Sequence, residues 1–140
     1  MSLIIPHYPD ETLISVLKSI KTIAVVGFST NPETDSYEIG HFLKEVGFTV
    51  YAVNPKAAQI GELTSYPSLA DAPKPVDLVS VFRKPEFLPG IVDEAAVIGA
   101  KIVWAQPGII NEQATPKAEA AHIQLLMGIC IRANYRRLMK

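Results

Sequence analysis

The sequence predicts an α/β fold, a single-domain Rossmann-like open parallel sheet of about five strands with helices on both faces. Three observations carry this. Short apolar runs recur along the 140 residues. Stretches with helical spacing alternate with them over short connections, the pattern of β–α–β units. The runs are apolar at consecutive positions rather than at every second one, as strands covered on both faces of a parallel sheet require.

The elements follow in order. Asp10 can cap a first helix in which Leu13, Ile14, Leu17 and Ile20 share one face. Thr22 to Phe28 is the first strand. A polar loop from Ser29 to Ser36 leads into a helix from about Tyr37 to Val46, closed by Gly47. Phe48 to Asn54 is the second strand, ended by Pro55. Lys56 to Pro75 is irregular, apart from a helical turn around Leu69–Ala72. Val76 to Phe82 is the third strand. A helix from about Phe87 to Ile98 tolerates Pro89 because that residue falls in its first turn. Lys101 to Ala105 is the fourth strand. The next helix is capped either by Asn111 or by Thr115 with Pro116 at its first position. Ile123 to Met127 is the fifth strand, and Ala133 to Met139 a short basic helix.

Composition narrows the function classes. With 49% hydrophobic and 19% charged residues and a net charge of −1, bulk attraction to nucleic acid or an anionic membrane is not expected. An anion site must be a local cluster. Cys130 is the sole cysteine, so no intrachain disulfide can form. Met1–His7 lacks the pattern of a secretory signal, and no apolar run approaches membrane-helix length. A reducing, cytoplasmic location is the expectation. His7, His41 and His122 lack metal-ligand spacing, so no metal is expected.

In such sheets ligands bind beyond the carboxyl ends of the strands, which selects four loops. The first holds Gly27, Phe28, Ser29 and Thr30, with Ser36 and Tyr37 opening the helix behind it. Only Gly27 of a three-glycine dinucleotide fingerprint is present, yet free N–H groups in a Ser/Thr-rich turn can cradle a pyrophosphate. The second holds Asn54, Pro55 and Lys56. It offers a cation where nicotinamide enzymes place a ribose-binding carboxylate. The third holds Phe82, Arg83 and Lys84, two adjacent cations suited to phosphate. The fourth places Gln106 at a strand end. Cys130 follows the fifth strand and is expected near the same edge. No catalytic constellation is evident, and Asp93 and Glu94, adjacent in a helix, point apart.

At these residues the chain resembles the small stand-alone CoA-binding proteins related to the CoA-binding domain of the succinyl-CoA synthetase α subunit. The resemblance runs from about Pro9 to Leu138. It rests on Ile23–Ser29, Val53–Lys56, Tyr66–Leu69, Pro75–Val79, Val81–Glu86 and Gly99–Trp104. It implies coenzyme A as cofactor, with its pyrophosphate at the first loop. The 3′-phosphate end would be held by the Asn54–Lys56 and Phe82–Lys84 loops. The ligase activity is not implied, because nothing matches the synthetase's further domains. Pro107 departs from the family, which usually has another residue there.

The sequence therefore points to a domain that binds coenzyme A or an acyl-CoA and has no catalysis of its own. Two alternatives stand beside it. One is an NADP-dependent oxidoreductase, since Lys56 and Arg83 could equally grip a 2′-phosphate; the other is a non-catalytic scaffold domain. The expected partner is a small molecule, and the sequence leaves open a second copy of the chain or an unidentified protein.

Overall fold

The computed structural model describes residues 8–139. The expectations for Met1–His7, including His7, lie outside them.

The chain opens with α1 (Asp10–Ser19), and Pro9 rather than Asp10 stands at its N-cap. Strand β1 (Thr22–Val26) follows, then α2 (Asp35–Glu45) and β2 (Thr49–Val53). Next come two strands that the sequence analysis treats as irregular chain, β3 (Gln59–Ile60) and β4 (Leu63–Tyr66). A 3₁₀ turn over Leu69–Asp71 precedes β5 (Leu78–Val81). Helix α3 (Leu88–Val97) then leads to β6 (Ile102–Ala105). Of the two candidate caps for the next helix, Asn111 is used, whereas Thr115 lies inside the helix behind an N-cap at Ala114. The Asn111 side chain accepts from the Gln113 N–H and starts a 3₁₀ turn at Glu112–Ala114, which runs into α4 (Thr115–Ala120) with Pro116 in its first turn. The chain ends with β7 (Gln124–Leu126) and α5 (Ile131–Leu138).

The sheet has seven strands, not about five, in the order β3-β4-β2-β1-β5-β6-β7. All neighbours are parallel except β3 and β4, which are antiparallel. The additional strands form a two-rung hairpin, Gln59 opposite Thr64 and Ile60 opposite Leu63. Pairs this short carry too little periodicity to be seen as strands from sequence.

Alternate residues of the central strands feed two cores, since successive side chains point to opposite faces. Ala24, Val26, Val79, Val81 and Val103 pack under α3 and α4. Ile23, Val25, Leu78, Ile102 and Trp104 pack under α1, α2 and α5. That two-sided burial is why β1, β5 and β6 are apolar almost throughout. At the amino end of the strands, Asp77 accepts hydrogen bonds from the Lys21 and Thr22 N–H groups, at 2.8 and 3.0 Å, and ties β5 to β1 there. The carboxyl end is left to the loops. No helix among the described residues is long and apolar enough to cross a membrane.

Candidate functional site

The chain adds β2 and β4 on one side of β1 and then returns to add β5, β6 and β7 on the other. The chain leaving β1 goes to α2 on one face of the sheet and the chain leaving β5 to α3 on the other, and a crevice opens beyond the strand ends, as the topology requires. The crevice is a cleft of about 640 Å³, within the usual range for small-molecule sites.

Three loops selected from sequence meet there. Gly27, Phe28 and Ser29 supply the β1 wall, Asn54, Pro55 and Lys56 the β2 wall, and Arg83 the β5 wall. Gly27 has φ +85°, and a Cβ on it would stand 2.7 Å from the Phe82 carbonyl oxygen. Its lack of a side chain lets the β1 and β5 loops touch. Asn54 links the other two segments. Its Nδ2 donates to the Phe28 carbonyl oxygen (2.9 Å), and its Oδ1 accepts from the Lys56 N–H (2.8 Å). The same residue thus ties the β2 loop to the β1 loop and turns the chain so that Lys56 lies at the cleft. Arg83 lies over the Phe87 ring, 4.3 Å from its centroid, a cation–π contact that holds the guanidinium at the rim. Neither Lys56 nor Arg83 forms an ion pair among the described residues.

The other residues selected from sequence lie elsewhere. Ser36 is buried, and its Oγ accepts the Ser29 N–H at 2.9 Å. Asn31 N–H donates to Ser29 Oγ and Glu33 N–H to Asn31 Oδ1, each at 3.0 Å. The β1 loop thus spends these three amides on its own side chains, a correction to the expectation of free N–H groups. Positive charge at the cleft comes instead from side chains. Thr30 and Lys84 are exposed but do not line the cleft. Tyr37 stacks on His41 at 4.2 Å and packs against Phe28, holding α2 rather than facing the cleft. Phe82 packs its ring into the core beneath α1, α2 and α5.

Gln106 and Cys130 also need correction. Gln106 is buried; its Nε2 donates to Ser80 Oγ (2.9 Å) and its Oε1 accepts from the Ile131 N–H (3.2 Å). Its polar atoms are consumed in joining β5 and β6 to the start of α5. Cys130 caps α5, its Sγ accepting from the Ala133 N–H at 3.4 Å. It packs with the core under α1, α2 and α5, whereas the cleft is floored by α3 on the opposite face of the sheet.

Sequence reasoning missed two walls. Pro67, Ser68 and Leu69 line the cleft because β4 pairs with β2 and carries the chain past its end, with Asn54 N–H donating to the Tyr66 carbonyl oxygen. The second wall is α3 and the turn before it, through Glu86, Phe87, Gly90, Ile91 and Glu94. The spacing of the last four is one helical stripe, a signal present in the sequence but not assignable to a ligand without knowing which way the helix faces. Glu94 lines the cleft while its neighbour Asp93 pairs outward with Lys117 at 2.9 Å.

The model of a family described as a CoA binding domain matches residues 21–136, which include every strand of the sheet. The chain belongs to this CoA-binding family. An uncharacterized protein of Bacillus subtilis, YneT, is 32% identical over 120 residues, covering 86% of this chain and 89% of that protein. A solved structure of a hypothetical protein from Pyrococcus horikoshii superposes with a TM-score of 0.92, at 34% identity over 100% of both chains. Acetate–CoA ligase (ADP-forming) II of Archaeoglobus fulgidus is 36% identical over 83 residues, 58% of this chain but only 12% of the ligase. The family is thus found both as chains of this length and as a small part of a ligase.

Proposed function

We propose that this chain is a cytoplasmic module that binds coenzyme A, or an acyl-CoA, in the cleft at the carboxyl edge of the sheet, without catalysis of its own. One observation carries the reading: Lys56 and Arg83, supplied by separate loops, border one cleft in a chain of the CoA-binding family, and neither is neutralised by an acidic partner among the described residues. A lysine point charge and an arginine fork suit the 3′-phosphate and pyrophosphate of the ligand. Asn54 and Gly27 set the loops that present them.

The test is affinity. Lys56→Ala and Arg83→Ala should each weaken CoA binding by about tenfold or more, because a hydrogen bond to a charged group contributes roughly 1.5–3 kcal/mol. Dephospho-CoA should bind less tightly than CoA and respond less to these changes. Titration calorimetry measures all of it, and unchanged CoA affinity in both variants would displace the site. In parallel, CoA should raise the melting temperature more than NADP at equal concentration; the reverse order would favour the oxidoreductase.

Absence of catalysis has its own assay. With ATP, acetate and CoA the isolated chain is expected to form no acyl-CoA. Product accumulating in proportion to protein, above a heat-killed control, would overturn the binding-only reading.

A further inference from the structure

His41 stands in the middle of α2, and both of its ring nitrogens are engaged. Nδ1 lies 2.9 Å from the Tyr37 carbonyl oxygen one turn earlier, and Nε2 lies 3.2 Å from the Glu62 backbone nitrogen. A carbonyl can only accept and an amide N–H can only donate, so these two partners fix the state of the ring. It is neutral, donating from Nδ1 to Tyr37 and accepting at Nε2 from Glu62. Tyr37 stacks on the same ring at a centroid distance of 4.2 Å.

Glu62 belongs to the turn between β3 and β4. Its neighbour Gly61, at φ +59°, is laid directly on the two rings, because a Cβ there would collide with His41 Nε2 and Tyr37 Oη. The turn meets α2 again at Lys44, whose Nζ donates to the Glu62 carbonyl oxygen at 3.2 Å. From this turn β4 runs into Pro67–Leu69, which line the cleft. β4 also backs the Asn54 turn, since the Tyr66 carbonyl oxygen accepts from the Asn54 N–H at 2.9 Å.

Histidine is the side chain that ordinarily gains a proton between about pH 8 and about pH 5. A second proton on His41 would have to enter at Nε2, the atom that holds the Glu62 N–H, and two donors would then face each other. The latched turn is therefore present at the higher pH, and acid favours the released one. The charged groups around the ring do not offset this. His41 forms no ion pair among the described residues. The Glu62 carboxylate, 81% exposed, is directed to Lys44 at 3.9 Å, and Lys44 itself opposes a second cation. On α2, Glu38 pairs with Arg132, and Glu45 is exposed to solvent. From the β1 loop comes the uncharged Phe28 ring, 5.9 Å from that of His41.

We propose that His41 is a pH-sensitive latch. Neutral, it clamps the β3–β4 turn to α2; protonated, it releases the turn and loosens the Pro67–Leu69 wall. The latch stands on the fold, whereas its effect on affinity rests on the CoA reading.

Nuclear magnetic resonance of the ligand-free protein tests the latch first. At about pH 8, long-range proton–nitrogen correlations should show His41 protonated on Nδ1. A proton on Nε2 there would overturn the proposal. On acidification to about pH 5 the Glu62 amide of the wild type should lose about tenfold or more of its exchange protection, corrected for the intrinsic pH dependence of exchange. His41→Gln offers an amide oxygen that accepts at either pH, and its protection should hold within about twofold. Equal losses in the two proteins would overturn the latch. CoA titrations at the same two pH values read the wall. The ligand's phosphates also titrate in this range, so the two proteins are compared with each other: the wild type should lose about fivefold more affinity than His41→Gln. His41→Leu, which has no acceptor, should bind CoA about fivefold more weakly than the wild type already at the higher pH. Equal affinity losses in wild type and His41→Gln would overturn the coupling of the latch to the cleft. A wild type that binds no CoA would remove the ligand reading alone, because the tautomer and the protection are measured without it.

Discussion

Trp104→Ala is expected to remove about 3–5 kcal/mol of stability, the usual cost of deleting a buried aromatic of this size. Trp104 is fully buried in β6, the strand next to β5, and packs in the core under α1, α2 and α5. Its indole Nε1 donates to the Ile129 carbonyl oxygen at 2.8 Å and so fastens the loop that leads into α5. Single domains have only about 5–15 kcal/mol in hand, so the variant should sit near its unfolding threshold. Trp104→Phe separates the two contributions. It keeps most of the apolar volume but strands the Ile129 carbonyl, which should cost about 1–3 kcal/mol. Urea unfolding followed by circular dichroism reads both variants, as the sole tryptophan cannot then serve as a probe. A loss below 1 kcal/mol in the alanine variant would mean that the core collapses into the space.

Gly27→Ala should be nearly as damaging, at about 3 kcal/mol, and it should act on the cleft as well as on the fold. Two penalties combine. An L-residue at φ +85° is strained, costing about 1–2 kcal/mol, and the new methyl would meet the Phe82 carbonyl at 2.7 Å. Backbone cannot swing aside as a side chain can, so the β1 and β5 loops must separate, an overpacking cost of about 1–3 kcal/mol. Arg83 directly follows Phe82 and would move with it. The variant should therefore lose CoA affinity even under conditions where it stays folded. Denaturant midpoints and calorimetry on the same preparation check both halves, and a variant with wild-type values in each would show that the loops are not in contact.

The parts of this architecture visible in the sequence are those where burial is two-sided. β1, β2, β5 and β6 are covered on both faces, and their near-continuous apolar runs announce them. β3 is not visible because Gln59–Ile60 is too short to establish a period, and β4 because Thr64 and Ser65 interrupt its apolar residues. Missing β4 also hid Pro67–Leu69, whose place at the cleft depends on that pairing. The rule that ligands gather at strand carboxyl ends selects Gly27, Asn54, Lys56 and Arg83, which line the cleft because their positions follow from topology alone. It misplaced Gln106 and Cys130 for a related reason. Both leave strands at the same edge, but the sequence does not say on which face of the sheet the chain continues, nor that Ser80 and the Ile131 N–H would claim the amide. Gly90 and Glu94 went unseen because a helical stripe acquires meaning only when its direction is known.

The sheet narrows toward both margins, from five residues in β1 and β2 to two in β3 and three in β7. A margin so short presents few unpaired backbone groups, and those groups are the template on which a foreign strand would add. Fibrillar stacking through the open sides of the sheet is thereby discouraged without any covering element. For the same reason, another copy of the chain or a different protein has little backbone to pair with at these margins. Any assembly would have to be built from side chains on the helices and loops, leaving the order of the strands as it is in one molecule.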